Sequence, residues 1–313
     1  MVHRVDVMRK LIFTALLGLP AISLPVHAET EQGQGWPADC KLERVAQVPM
    51  TLKSGHVTVP ASVNGKDVTL GIDTGGPFSS LTMAAFHRLG LVGRRDDVRI
   101  GDLELHSVFM GVMESFPGVD GLIAPDILNR YDAEFDFGGN IFRLFEHHAC
   151  ADHAMYWTGS YTVIPFTLTR DGHVRVSVTL DGQSTYAILD TGAPISVLSM
   201  QDASSMFGLT PDSVDIEAAK RVAGLWSSAY LARYTYGVWD YPSKSVSAYT
   251  YPFNTITIGG MSVANPPIEL TQGRNFLGND FASLLLGTDL LSHFHLYIAY
   301  RERKLYITGP QVH

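Results

Sequence analysis

Apolar and polar residues alternate with a period of two along much of this chain, and the alternation occurs in two copies. VTVPASVNGKDVTLGID from Val57 and VRVSVTLDGQSTYAILD from Val174 run side by side without a gap. Each predicts two strands around a two-residue turn. Asn64-Gly65 and Asp181-Gly182 suit that turn, because Asn-Gly and Asp-Gly tolerate the positive φ of a tight hairpin. Further strand-like runs recur at Arg99–Leu105 and Thr257–Val263. An apolar run then opens a short helix, GLIAPDIL from Gly121 and LLLGTDLL from Leu284. Each copy closes on an alternating pair of strands, at Glu134–Phe145 and Tyr297–Ile307. Long helical stripes are scarce. The predicted fold is all-β: two homologous lobes, 41–150 and 160–313, related by a pseudo-twofold axis and each carrying short helices.

The copies differ in one stretch. About eight residues separate Leu91 from the Ile-Gly strand in the first copy, against nearly fifty in the second. This insertion, at about 210–256, is rich in Tyr, Trp and Ser. Its aromatics suit either ordinary packing or a hairpin that covers a cleft.

Residues 1–28 read as an export signal. Arg9-Lys10 precedes an apolar run, Leu11–Leu24, that Pro20 interrupts, and Val26-His27-Ala28 offers a cleavage site. A membrane anchor is the other reading, but the run is short and broken. A periplasmic or secreted protein is expected, with no stable membrane anchor after cleavage. In such a compartment the only two cysteines, Cys40 and Cys150, suit one disulfide tying the start of the first lobe to its end. Two unrelated thiols are the alternative.

Composition narrows the function. The chain has 313 residues, 46% hydrophobic and 17% charged, which excludes a disordered chain. Lys plus Arg number 23 against 31 Asp plus Glu, a net charge of −8, with no long basic run, so no nucleic-acid partner is expected. His147, His148, Cys150, Asp152 and His153 cluster between the lobes. Their spacing fits no strong metal template, and the segment reads as a solvated linker; no metal or other cofactor is expected.

Both copies end their first hairpin in Asp-Thr-Gly, at Asp73-Thr74-Gly75 and Asp190-Thr191-Gly192. One such tripeptide arises by chance in about one chain in seventeen of this length. Two at equivalent positions of a repeat call for a reason. A pseudo-twofold can bring two loops together, each with one carboxylate. Two carboxylates in contact share a proton, because both cannot ionise cheaply. The ionised member can deprotonate a water and the protonated member can polarise a peptide carbonyl. The glycines allow close backbone approach, and the threonine hydroxyls can bond across the axis. Ser79 and Ser80 show no Ser-His-Asp order, and glycoside hydrolysis gives no reason for twin Asp-Thr-Gly turns.

These residues resemble the retropepsin-like aspartyl proteases, in a fused two-lobe form found among exported bacterial proteins. The resemblance implies two pepsin/retropepsin-like acid-protease lobes and an aspartic endopeptidase with Asp73 and Asp190 as catalytic dyad. It makes Thr74, Gly75, Thr191 and Gly192 the supporting residues. It also rests on an apolar-apolar-Gly motif, matched by Leu285-Leu286-Gly287. Leu122-Ile123-Ala124 departs from it. After Asp-Thr-Gly the family favours Ser, Thr or Ala; Ala193 fits and Gly76 does not. Without a hydroxyl donor there, an optimum in mild rather than strong acid is expected. A substrate-covering flap is expected from about 216–250, with Trp226 and Tyr230 facing a peptide or protein substrate. Asp126 and Asp289 read as helix-start carboxylates, and His56 and His173 as strand-end residues. Two complete copies in one chain imply a monomer. A catalytically inactive peptide-binding module on the same scaffold is the alternative, though such a module has no need of both aspartates.

Overall fold

The computed structural model describes residues 29–147, 153–213, 216–218, 248–271 and 282–309. The expected signal peptide, Cys150, Trp226 and Tyr230 lie outside these residues; Cys40 is buried.

Each repeat folds as its alternation dictates. In the first, His56–Val63 pairs antiparallel with Lys66–Ile72; in the second, Val174–Leu180 pairs with Gln183–Leu189. Asn64 and Gly65 both take positive φ, 48° and 75°, as do Asp181 and Gly182, 43° and 81°. These are the values a two-residue turn needs to match the twist of its strands. A second antiparallel pair lies beside each hairpin, Arg95–Ile100 with Leu103–Phe109 and Thr255–Ile258 with Met261–Ala264. The structure is all-β and two-lobed, with short helices, as the sequence leads one to expect.

The lobes are joined by one continuous sheet. Leu42–Pro49, Ile141–Phe145 and Asp132–Asp136 of the first copy continue into His295–Ala299, Lys304–Thr308 and Thr162–Leu168 of the second. The seam lies between Asp132–Asp136 and His295–Ala299, where Glu134 faces Tyr297 and Asp136 faces His295. Glu29–Glu31 adds an outer strand to this sheet, so the first lobe's sheet starts before residue 41. One apolar core runs through both lobes and the inner face of the seam, including Phe135, Phe142, Leu296 and Ile298.

The opposite face of the seam differs from expectation. Alternation puts Asp132, Glu134, Asp136 and His295 on that side, all buried. The segment read as a solvated linker covers them. Its Ala154 and Met155 are buried against Leu42, Phe145 and Tyr297. Trp157 stacks on the His295 ring, centroids 4.0 Å apart and planes 9° from parallel. The Tyr156 hydroxyl donates to Glu134 Oε2 at 2.7 Å. The apolar surface of Ala154–Trp157 is enough to hold the segment down, so it packs rather than spanning solvent. Glu134 also accepts from Arg143 Nη1 at 2.5 Å and meets His295 Nε2 at 2.9 Å.

The seam therefore has a carboxylate held between a cation of its own lobe and an imidazole of the other. Removing it leaves the partly buried Arg143 without its main partner. Glu134→Ala is expected to cost about 3–5 kcal/mol of unfolding free energy in urea titration. A cost under about 1 kcal/mol would show that the cluster does not hold the lobes together.

Candidate active site

The two hairpins deliver Asp73 and Asp190 to the same place by the same route. Behind Lys66–Ile72 runs Gly121–Ile123, parallel and in register, with Leu122 beside Gly71. Leu284–Leu286 runs likewise behind Gln183–Leu189, with Leu285 beside Ile188. The strand that leaves each Asp-Thr-Gly turn, Ser80–Thr82 or Ser196–Ser199, pairs with the other edge of the inserted strand. The Asp73 amide donates to Ile123 O and the Asp190 amide to Leu286 O, each at 2.9 Å. Each turn is thus pinned to three strands.

A short helix follows each inserted strand, Pro125–Leu128 or Thr288–Leu291, with Asp126 or Asp289 in its first turn. Asp126 accepts from the amide and hydroxyl of Ser79, both at 2.8 Å, and Ser79 Oγ in turn accepts from the Ala124 amide at 2.9 Å. Asp289, Ser196 and the Gly287 amide repeat the arrangement. These carboxylates are structural: they clamp the strand leaving each Asp-Thr-Gly turn to the helix behind it.

The departures from the motif offset one another. Ala124 and Gly287 both have extended backbone, so positive φ does not decide between them. Space does. A Cβ on Gly287 would collide with the Ile195 backbone and crowd the Ala193 carbonyl. In the first copy the alanine stands at 124 and the glycine at 76, where a Cβ would lie 2.8 Å from the Asp73 carboxylate and 3.3 Å from the Ala124 Cβ. Each copy holds one methyl between these two positions.

The turns meet across the pseudo-twofold. Thr74 Oγ1 donates to Leu189 O at 2.7 Å and Thr191 Oγ1 to Ile72 O at 2.6 Å. Each hydroxyl also accepts the other threonine's amide, at 3.1 and 3.2 Å. Thr74 and Thr191 are buried, and the exchange gives each of their hydroxyls and amides a partner. A Cβ on Gly75 would collide with the Asp190 carboxylate, and one on Gly192 with that of Asp73. The aspartates therefore sit against each other's turns, and their side chains are hydrogen-bonded. The Gly75 amide donates to Asp73 Oδ1 at 3.0 Å and the Gly192 amide to Asp190 Oδ1 at 2.9 Å.

Burial and the neighbouring Asp73 carboxylate hold Asp190 well above the ordinary carboxylate range, with the Gly192 and Ala193 amides opposing. A group that can gain or lose a proton beside a second carboxylate can serve as acid or base to a molecule set against both.

Of the other residues marked in the sequence, His147 bonds to Asp132 Oδ1 at 3.0 Å and to Asn129 O at 3.2 Å. His153 lies edge-on to Trp36. Their companions His148, Cys150 and Asp152 lie outside the described residues. Glu134, Asp136 and His295 have ligand-type atoms within 4.8 Å of one another, but Arg143 already supplies the cation there, 2.5 Å from Glu134 and 3.8 Å from Asp136. The base of the long insertion is a strand pair, Glu217–Ala218 with Ala248–Thr250, added beside Ile268–Thr271; its tip lies outside the described residues. His56 and His173, read as strand-end residues, reach the opposite lobe's turn: His56 Nδ1 lies 2.5 Å from Gly192 O and His173 Nε2 3.2 Å from Gly76 O. Their recurrence after glycine in both copies was the only signal in the sequence.

No family model matches the chain, and no curated protein matches it. Among solved structures it is similar to the aspartic proteinase from Irpex lacteus, at 16% identity over 84% of this chain and 97% of that one, with a TM-score of 0.49.

Asp190 has its affinity for a proton raised by folding. That contribution to stability is full below the unfolded carboxylate pKa and is lost as pH rises through the folded one. Asp190→Asn removes the charge and keeps the shape. Its melting temperature relative to wild type is expected to climb between pH 4 and pH 7, by about 2–4 °C for each kcal/mol of relieved repulsion. A difference constant with pH would show that the two carboxylates are not coupled.

Proposed function

We propose that this chain is an aspartic endopeptidase. The observation that carries the reading is the pair of buried aspartates, one per lobe, each lodged against the other's Asp-Thr-Gly turn and hydrogen-bonded to its partner. In this reading the ionised member takes a proton from a bound water while the protonated member donates to the scissile carbonyl. Water attacks the amide directly, and no acyl-enzyme forms. The threonine exchange and the amides of Gly75 and Gly192 hold the carboxylates in place without reorganisation during the step.

The substrate is a peptide or unfolded protein in extended form. The insertion anchored at Glu217–Ala218 and Ala248–Thr250 serves as the flap over it, with Trp226 and Tyr230 as contacts. The enzyme acts as a monomer, since one chain holds both aspartates, and in the periplasm or outside the cell after removal of residues 1–28. Cys40 and Cys150 form a disulfide in that compartment. No helix among the described residues is long and apolar enough to cross a membrane.

The test is cleavage of an unfolded protein by the mature chain across the acid and neutral range, with Asp73→Asn and Asp190→Asn alongside. Wild type is expected to show its maximum in mild acid, and both variants to lose at least about a thousandfold in kcat, as expected when a member of a catalytic unit is removed. Activity that survives either change places the chemistry elsewhere. A folded but inactive wild type favours a peptide-binding module.

A further inference from the structure

The Gly-His pairs that open each lobe's first hairpin are not needed to make a strand, yet both dock on the other lobe. Gly55 has φ 81° and lies against Pro194, where a Cβ would collide. Its carbonyl accepts the Thr288 hydroxyl, and the Val57 amide donates to Thr191 O at 3.3 Å. His56 is thus clamped on both sides to the second lobe. Phe116 packs on its ring with centroids 4.6 Å apart, and only 2% of the residue is exposed. In the second copy Gly172 has φ 87°, and its carbonyl accepts from Asn129 Nδ2 at 3.2 Å.

The acceptors fix the histidine tautomers. A carbonyl oxygen only accepts, so His56 presents Nδ1–H to Gly192 and His173 presents Nε2–H to Gly76. The consequences differ. The carbonyl of Gly192 shares a peptide unit with the amide of Ala193, which donates to the Asp190 main-chain carbonyl at 3.3 Å and also favours the charged Asp190 carboxylate. A donor on the oxygen polarises the unit, strengthens its N–H and so fixes the backbone from which the Asp190 carboxylate projects. His173 holds a unit one residue further along its turn, Gly76–Pro77, which has no N–H; the first lobe's equivalent of Gly192–Ala193 is Gly75–Gly76. His173 is also only half-buried.

We propose that His56 is a positioning residue of the dyad: through Nδ1–H it holds the Gly192–Ala193 peptide unit and so orients that unit's amide on Asp190, with His173 as a weaker anchor on the other loop. The proposal rests on the endopeptidase reading for its kinetic consequence, but not for its geometry. Burial lowers the His56 pKa, opposed by the Gly192 carbonyl and the nearby Asp73, which favours a neutral donor.

The tautomers give a test that a merely space-filling role fails. An asparagine amide falls where Nδ1 stands and a glutamine amide where Nε2 stands. His56→Leu is expected to lower kcat about tenfold with KM within about twofold, the loss of roughly one buried hydrogen bond. His56→Asn is expected to recover most of that loss and His56→Gln little. At 173 the order reverses and the range is smaller: His173→Gln recovers and His173→Asn does not. Equal activity of the Leu, Asn and Gln variants at residue 56 would overturn the proposal. Should the leucine variants fail to fold, the Asn-against-Gln comparison decides alone. A second measurement stands apart from catalysis. In the full mature chain labelled with 15N-histidine, His56 is expected as the Nδ1–H tautomer and His173 as Nε2–H, with each assigned by its variant. The opposite tautomer at His56 overturns the proposal even in an active enzyme. The expected tautomers in a chain that cleaves nothing support the latch and count against the endopeptidase reading alone.

Discussion

Everything in this structure turns on the contact between Asp73 and Asp190. Two carboxylates held side by side and out of water repel, and each loses its hydration. Left to themselves, the turns would separate. They stay because the groups that hold them form a closed set. Each threonine hydroxyl donates to the backbone of the opposite strand and accepts from the opposite turn, and each glycine makes room where a side chain would drive an aspartate away. Behind each turn an inserted strand and an Asp-Ser clamp remove the freedom to withdraw. The unfavourable contact persists because its surroundings over-determine it.

Duplication supplies this arrangement without making the halves alike. Interactions that must be reciprocal are so: the threonine exchange, the clamps on Asp126 and Asp289, the backbone bonds from Asp73 and Asp190. Those that need only hold a volume have drifted, as with the methyl that stands at Ala124 in one copy and at Ala193 in the other. Others have become unequal. His56 grips a peptide unit with an N–H beside the dyad, whereas His173 grips one closed by Pro77. The two aspartates thus occupy environments of related shape and different polarity, a condition under which one of a pair can keep the proton.

How much of this was legible in the sequence follows from how local each feature is. The hairpins were legible, since Asn64-Gly65 and Asp181-Gly182 specify their turns within two residues. The meeting of Asp73 and Asp190 was legible because repetition placed Asp-Thr-Gly at equivalent points, which a pseudo-twofold can bring together. The burial of Asp132, Glu134, Asp136 and His295 was not. An alternation of acids and apolar residues reads equally as a strand with one wet face, and what dries that face is Ala154–Trp157, which looks like a linker. The reach of His56 was hidden for a related reason: its partner, Gly192, is 136 residues away and contributes only a backbone carbonyl, which no side-chain pattern records.

The seam sheet and the dyad are linked by the same fact, that neither is complete within one lobe. At the seam Glu134 of the first lobe bonds His295 of the second while Arg143 balances its charge. At the other shared surface two carboxyl groups meet, and the raised proton affinity of Asp190 eases their repulsion. A lone lobe would expose both a carboxylate that has lost its imidazole partner and a half-built turn. Docking satisfies the first strongly and tolerates the second. The attraction at the seam and the apolar core beside it therefore hold together what the repulsion between Asp73 and Asp190 would part, and the two carboxylates can be buried because the other shared surface is stable enough to keep them so.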